Sequence, residues 1–271
     1  METNLTIQEI KFYNFSNLLN YIENHKAVNH PFFVYLNDVK NGFTANQYSI
    51  YRYNYFYRTS NTIPSIAHLV IAAAFNGDIQ SLAFAGQNLY EETGCGVKEN
   101  VHSKLLEDSY NSHAKKIFGL NPLYLKDTTS SSNVNVIKEA CLFVEKQNTL
   151  YKSDNYCTVL GTALAHETLA VSMLTNFYKA FFLRYRGYYK KEEFDQVEKY
   201  FSSHLGGVEE RHAKNSQEIV QRWCKNENDL HSIAKGAIGF MEAQSVLWDG
   251  LHRELKNAED ERIIIKFKIL I

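Results

Sequence analysis

The chain has 271 residues, enough to bury a substantial core in one or two domains, and it carries a net charge of −1. This balance gives no electrostatic reason to expect binding to nucleic acid or to an anionic membrane. Four scattered cysteines without a CxxC pair argue against a zinc site or a disulfide framework and favour a reducing cytoplasm. Neither a signal peptide nor a membrane span is expected, since no basic leader and no uncharged apolar run of about 18 residues is present.

Hydrophobic periodicity and capping signals predict an all-α protein, and the presence of only three prolines leaves room for long helices. A polar loop is expected over residues 120–135. We expect one helical domain over residues 1–262 and a tail over residues 263–271 that is either docked as a strand or frayed. The predicted helices cover residues 6–24, 45–58, 62–75, 79–92, 98–118, 136–147, 156–185, 191–204, 207–225 and 228–256.

A carboxylate and an imidazole flank a glycine-rich break between two predicted helices. Glu92 lies on the apolar stripe of the helix before the break, so we expect it to face inward and its neighbour Glu91 to face solvent. His102 begins the following helix. Taken alone, the pair is also compatible with a helix-end glutamate and a hydrogen-bonded core histidine.

Two further segments place ionisable residues among apolar ones. Glu167 interrupts the apolar stripe of a long helix, with no Lys or Arg one turn away, so it must be protonated, bound to a metal or paired across helices. Glu209 and His212 are three residues apart and share a helical face. His204 precedes Glu209 by five residues, a spacing that the glycines at 206–207 could absorb as a π-bulge or a helix break.

Together these segments supply six inward side chains from separate helices, which is how a metal site is built in a helical bundle. Carboxylates and imidazoles without thiolates suit iron or manganese better than structural zinc. Six ligands exceed the needs of a single catalytic ion, so two ions are predicted. The predicted ligands are Glu92, His102, Glu167, His204, Glu209 and His212.

At these residues the chain resembles the haem-oxygenase-like diiron oxidases, or iron-containing redox enzymes, which are distant relatives of thiaminase II and PqqC. The segments that carry the resemblance are NLYEETGCG before His102, the helix with Glu167, and YFSSH followed by EERHA. They span roughly residues 40–225. The resemblance implies a haem-oxygenase-like bundle of about seven core helices with two iron ions held by the six ligands. The His204–Glu209 spacing is one residue longer than in that family.

The resemblance also implies a function: a diferrous site with O2 as co-substrate that acts through a peroxo-diferric intermediate. The implied substrate is a small amino acid, amine or fatty-acid-like molecule, which undergoes C–C cleavage, desaturation or N-oxygenation. Glu92 and Glu167 are the implied catalytic residues, each binding or bridging iron, and manganese is an alternative metal. A homodimer is left open. The aromatic helix at residues 48–57, with Tyr178, Arg184, Tyr185 and Arg186, is a candidate pocket for a substrate carboxylate.

Three other interpretations remain at this stage. The chain could be a metal-independent enzyme similar to thiaminase II or PqqC. It could be a non-catalytic bundle that binds a protein partner, since the resemblance extends to relatives that associate with death domains. It could also consume one of its own tyrosines, as related p-aminobenzoate synthases do.

Overall fold

The structure is a computed structural model that describes residues 12–129 and 135–269, with side chains as far as residue 259. The described residues form helices and no strand, so the all-α prediction is confirmed. The α-helices are α1 (Phe15–Glu23), α2 (Pro31–Asp38), α3 (Ala45–Thr59), α4 (Thr62–Phe75), α5 (Ile79–Glu92), α6 (His102–Phe118), α7 (Leu125–Thr128), α8 (Lys138–Tyr151), α9 (Tyr156–Phe177), α10 (Lys191–Val197), α11 (Lys199–Ser202), α12 (Val208–Trp223) and α13 (Glu227–Ile269).

Local sequence signals set several of these helix ends. At the start of α3, Thr44 accepts a hydrogen bond from the backbone of Gln47, whose side chain in turn accepts one from the backbone of Thr44. This reciprocal capping satisfies two amide groups that the helix itself cannot use. Gly119 ends α6 in the left-handed conformation, which glycine adopts at low cost.

Helix α9 lies at the centre of the bundle and packs against α12 and α13. It crosses α13 at Gly161 and Gly236, where a side chain on either glycine would overlap the backbone of the other helix. Because the two backbones touch, the position of α9 relative to α13 is fixed. Glu167 lies six residues beyond Gly161, about 9 Å further along the helix axis.

One described helical run, Tyr156–Tyr188, is long and apolar enough by length and composition to span a membrane, with a mean hydropathy of 1.3. Within the bundle, 72% of an apolar 18-residue stretch of this run is buried. A core helix surrounded by other helices has the same all-round apolar composition as a membrane span. The composition of this run therefore matches its place at the centre of the fold.

Buried tyrosines fill the space between α3 and the neighbouring helices. Tyr51 of α3 forms a hydrogen bond with Tyr110 of α6, with their hydroxyl oxygens 2.7 Å apart. Tyr55 pairs with Tyr200 of α11 in the same way at 2.9 Å. Pairing satisfies the hydroxyls inside the core, where an unpaired one would be costly.

The structure corrects several predicted helix ends. The helix predicted over residues 156–185 ends as an α-helix at Phe177, continues as a π-turn over Tyr178–Phe182 and then as a 3₁₀ segment over Leu183–Tyr188. The helix predicted over residues 191–204 is divided into α10 and α11, and Lys98–Asn100 is a separate 3₁₀ turn before α6. Apolar periodicity could not distinguish a 3₁₀ or π segment from an α-helix, because the repeat of each differs from that of the α-helix by less than one residue per turn.

The two ends of the chain also differ from the sequence-based expectation. Helix α1 begins at Phe15, and residues 6–11 of the helix predicted over residues 6–24 lie outside the described part. At the other end, α13 continues as a helix to Ile269, through the segment from residue 263 for which a docked strand or a frayed tail was left open. Residues 270–271 lie outside the described part.

Candidate metal centre

The corner between α5 and α6 brings the first two predicted ligands together. Glu92 is the last residue of α5 and His102 is the first residue of α6. Between them, Gly94 and Gly96 have φ angles of 81° and 80°, in the left-handed region that favours glycine. A Cβ at Gly94 would also overlap the backbone around Val97 and Val101. The sharp turn therefore depends on glycine, and it brings the start of α6 next to the end of α5.

The predicted ligands His204, Glu209 and His212 come from the turn before α12 and from the beginning of that helix. Gly206 and Gly207, which lie between His204 and Glu209, have φ angles of 85° and 103°. The long His204–Glu209 spacing is therefore absorbed by a helix break and not by a π-bulge. The Glu209 amide donates to the His204 carbonyl oxygen at 3.3 Å and closes this wide turn. The break turns His204 toward a different set of partners from Glu209 and His212.

Glu92, His102 and His204 form a first group of potential ligands, whose donor atoms all lie within 4.8 Å of one another. Oε1 of Glu92 is 3.2 Å from Nδ1 of His102 and 3.7 Å from Nε2 of His204. Atoms that share one ion at about 2.1 Å each are at most about 4.2 Å apart. Both of these separations are therefore short enough for a common ion.

Glu167, Glu209 and His212 form a second group on the same criterion. Nδ1 of His212 is 3.9 Å from Oε2 of Glu167 and 3.9 Å from Oε2 of Glu209. The other oxygen of Glu167 accepts a hydrogen bond from the side-chain amide of Asn88 at 2.9 Å. Asn88 thus leaves one Glu167 oxygen directed at the group.

The second ring nitrogens of two histidines are engaged by other residues. Nδ1 of His204 lies 2.6 Å from the Tyr200 carbonyl oxygen, a contact that requires the proton on Nδ1 and leaves Nε2 free to bind. Nε2 of His212 lies 2.9 Å from Glu91, which also accepts from Arg211 at 3.1 Å. The expectation that Glu91 faces solvent was therefore wrong. Partners of this kind fix the orientation and tautomer of metal-bound histidines.

The pKa values of the three glutamates shift in different directions, although burial raises each of them. Burial raises the pKa of Glu167 to about 7, although His212 opposes the shift, and burial with the charges of Glu167 and Glu92 raises the pKa of Glu209 well above its usual range. For Glu92, contacts with His102 and His204 outweigh burial and hold the pKa well below the usual range. Three acids in one small volume thus repel one another unless positive charge is added.

These residues fit a metal by their donor chemistry. Within the described part of the chain, every ion pair of the three glutamates within 4.0 Å is made with a histidine and none with Lys or Arg. Nδ1 of His102 is buried and has no hydrogen-bond partner among the described residues, despite its short distance to Glu92. Carboxylate and imidazole donors of this kind suit iron or manganese.

A family model described as "iron-containing redox enzyme" matches residues 56–245. The chain belongs to this family. The match covers all six predicted ligands and confirms the resemblance noted from the sequence. No curated protein sequence matches the chain.

Solved structures similar to this iron-containing redox enzyme support the fold. A CADD-like protein of unknown function from Nostoc punctiforme PCC 73102 aligns with a TM-score of 0.68 at 16% identity, over 89% of this chain and 98% of that one. A domain of unknown function with a heme oxygenase-like fold from Shewanella denitrificans OS217 aligns with a TM-score of 0.59 at 17% identity, over 90% and 91% of the two chains. The predicted haem-oxygenase-like bundle is thereby confirmed.

Both ligand groups line one partly open cavity of about 330 Å³. Its polar wall includes Arg58, Tyr55 and Tyr200, in addition to the six predicted ligands. Its apolar wall is formed mainly by Ile63, Ile66, Ala170, Met173 and Leu174. The cavity can therefore hold a small organic molecule next to the metal centre.

Most of the residues predicted to line a substrate pocket do not line this cavity. Of the aromatic helix at residues 48–57, only Tyr55 does so. Arg184 donates to backbone carbonyls at 36, 37 and 39, and Arg186 lies over the ring of Phe194. The hydroxyl of Tyr178 donates to Glu198, while that of Tyr185 accepts from the Phe43 amide. All four side chains therefore hold the fold together and do not face the cavity. They lie at or beyond the point where α9 changes to a π-turn.

Three residues at the site were not predicted from the sequence to act there: Asn88, Glu91 and Arg58. Asn88 stands one helical turn before Glu92, so its position on the inward stripe was readable from the spacing. Arg58 ends the tyrosine-rich segment of α3 and carried no local signal. The partner of Glu91 is on α12, 121 residues away, and local spacing does not reveal such contacts.

Proposed function

We propose that this iron-containing redox enzyme is a non-haem diiron oxidase, which uses O2 as co-substrate to oxidise a small organic molecule. The observation that carries the proposal is the opening of two carboxylate–histidine groups onto one cavity with an apolar wall. Binding of a partner protein would not by itself account for three buried or half-buried acids that line one cavity. Burying them without compensation costs several kcal/mol.

In this proposal each group holds one ion: Glu92, His102 and His204 the first, and Glu167, Glu209 and His212 the second. Bound iron supplies the redox chemistry with O2, while the chain supplies ligand geometry and substrate placement. Manganese is compatible with the same donors.

The protein's own contribution begins with the orientation of the ligands. The Tyr200 carbonyl holds the proton of His204 on Nδ1, and Glu91 engages Nε2 of His212, so each ring offers its other nitrogen to the centre. Asn88 holds one oxygen of Glu167 in place. Ligands fixed in this way need little rearrangement when the metal binds.

The apolar wall of the cavity places the substrate and limits water. Ile66, Met173 and Leu174 are buried and line the cavity beside the ligands. Water kept away from the centre cannot intercept reactive species, and the substrate can approach without competition.

A second candidate substrate is one of the enzyme's own tyrosines. Tyr55 and Tyr200 both line the cavity, and their hydroxyl oxygens are 2.9 Å apart. Oxidation of either would change the mass of the intact chain after one turnover. Mass spectrometry of the protein after exposure to Fe(II) and O2, without added substrate, separates this candidate from oxidation of a small molecule.

The proposal is tested by iron titration under argon, followed by exposure to O2. Wild-type protein should take up two iron ions per chain and consume O2, whereas Glu167→Ala and His102→Ala should lose at least one ion and the O2 consumption. Glu210→Ala and His231→Ala change exposed residues of the same types and should behave as wild type. Uptake of less than one iron per wild-type chain in excess Fe(II) would show that the two-metal assignment is wrong.

A further inference from the structure

Asp78 is a buried carboxylate that joins the ends of three helices. It is 7% exposed and caps the start of α5, where its Oδ1 accepts from the Ser81 amide at 3.1 Å. Its Oδ2 accepts from the hydroxyl of Tyr156, the first residue of α9, at 3.0 Å and from Nε1 of Trp223, the last residue of α12, at 2.5 Å. Nη2 of Arg222, also on α12, lies 3.2 Å from Oδ1. One side chain therefore fixes the ends of α5, α9 and α12 to one another.

The same three helices carry four of the six proposed ligands, at some distance from Asp78. Glu92 ends α5, about 20 Å from the start of that helix. Glu167 lies about 17 Å from the start of α9, and Glu209 lies about 21 Å from the end of α12. A hydrogen-bonded helix behaves as a stiff rod over such lengths. The position of each helix at Asp78 therefore influences where its ligand lies at the metal centre.

Helix α12 depends on this contact most. Its ligand-bearing start follows the break at residues 206–207, so no continuous helix holds it on that side. Glu209 at this start lies close to Glu167 of α9, and two carboxylates repel each other when no cation lies between them. Contacts with Glu91 of α5 hold α12 near the ligands, and contacts with Asp78 hold it at the other end. The two acids of α5 together keep α12 in place.

The charge of Asp78 strengthens its contacts. Burial raises the pKa of Asp78, but its hydrogen bonds with Ser81, Trp223 and Tyr156 outweigh burial and hold the pKa below the usual range. The group is therefore a carboxylate at neutral pH. Hydrogen bonds to a charged acceptor are about twice as strong as those between neutral groups, so the loss of one of them loosens the end of α12.

We propose that Asp78 is a positioning residue of the metal centre, which fixes the end of α12 against α5 and α9 and thereby sets the affinity of the second ligand group for iron. Two of the three ligands of this group, Glu209 and His212, are on α12, whereas the first group has none there. The effect is therefore concentrated on the second group. This inference rests on the proposed diiron function and extends it to a residue that does not line the cavity.

The test measures iron affinity under argon by competition with a chelator. Arg222→Gln removes the ion pair and Trp223→Phe removes the indole donor, and both leave Asp78 in place as the cap of α5. Each change should weaken the binding of one iron about tenfold and leave the other within about threefold of wild type, a range typical of residues that act at a distance from a ligand.

Arg253→Gln is the matched control. It removes an ion pair of similar length, 3.1 Å to Glu139, between α13 and α8, which carry none of the predicted ligands. Both irons should bind to this variant within about threefold of wild type. Urea denaturation of each metal-free protein gives the free energy of unfolding, so a change in iron affinity can be compared with any general loss of stability.

Two ligand variants identify which iron is affected. His102→Ala keeps the second group intact, and His212→Ala keeps the first. Added to His102→Ala, Arg222→Gln should weaken the remaining iron about tenfold, whereas added to His212→Ala it should change the remaining affinity less than about threefold. If Arg222→Gln does not fold, Trp223→Phe is used in both backgrounds and decides the question.

Three outcomes would overturn the inference. The first is that Arg222→Gln and Trp223→Phe bind both irons as wild type does, and the second is that Arg253→Gln weakens iron binding as much as they do. The third is an equal loss in the His102→Ala and His212→Ala backgrounds. In each case the diiron proposal stands if wild-type protein takes up two irons per chain. Uptake of less than one iron per wild-type chain would instead remove the basis of both.

Discussion

The metal-free protein should be stabilised at alkaline pH by Glu167→Gln, although this change removes a proposed ligand. Burial raises the pKa of Glu167 from 4.5 to about 7, so its carboxyl group stabilises the fold below about pH 4.5 and loses that contribution as the pH rises through about 7. The difference corresponds to roughly 3 kcal/mol at pH 8. Glutamine has the same shape, keeps an oxygen to accept from Asn88 and carries no charge.

The assay is urea denaturation in the presence of a chelator at pH 5 and pH 8, for wild type, Glu167→Gln and the exposed control Glu145→Gln. At pH 8 the free energy of unfolding of Glu167→Gln should exceed that of wild type by up to about 3 kcal/mol, and at pH 5 the difference should fall below about 1 kcal/mol. Added Fe(II) should reverse the order at pH 8, because only wild type retains the full ligand set. A metal-free Glu167→Gln protein that is no more stable than wild type at pH 8 would refute the reasoning.

Two further predictions concern the support of the site. Gly161→Ala places a methyl group against a backbone carbonyl of α13 and should lower the free energy of unfolding by about 3 kcal/mol, measured by thermal denaturation. Gly86→Ala, where nothing lies within 4 Å of the added methyl group, should be neutral or slightly stabilising. If it lowered the free energy of unfolding as much as Gly161→Ala, the loss would not come from contact with α13. Glu91→Gln should weaken iron binding about tenfold in a chelator competition, because His212 loses its charged partner. Glu210→Gln should leave iron affinity unchanged, and equal effects of the two changes would exclude a specific role for Glu91.

Helix positions and inward faces could be predicted from the sequence because they depend on local repeats. The prediction placed Glu92 at the end of one helix and His102 at the start of another, and α5 and α6 have these ends. The inward direction of Glu167 followed from the apolar stripe on which it lies. Three acids and three imidazoles on such stripes then required a shared source of positive charge, whatever the order of the helices in space.

Contacts between distant segments were decided only by the tertiary structure. The division of the six residues into two groups depends on the break at Gly206–Gly207, which separates His204 from Glu209, and local spacing allowed a π-bulge equally well.

The roles of Glu91 and Arg58 depend on partners far away in the chain. Glu91 looked solvated on its own helix and is instead the partner of a histidine on α12. No local pattern singled out Arg58, which the packing of α3 against α13 buries at the cavity with one nitrogen unsatisfied. Periodicity shows which side chains turn inward, but only packing shows what they meet there, since the charge of a buried group is balanced by whichever segment lies opposite.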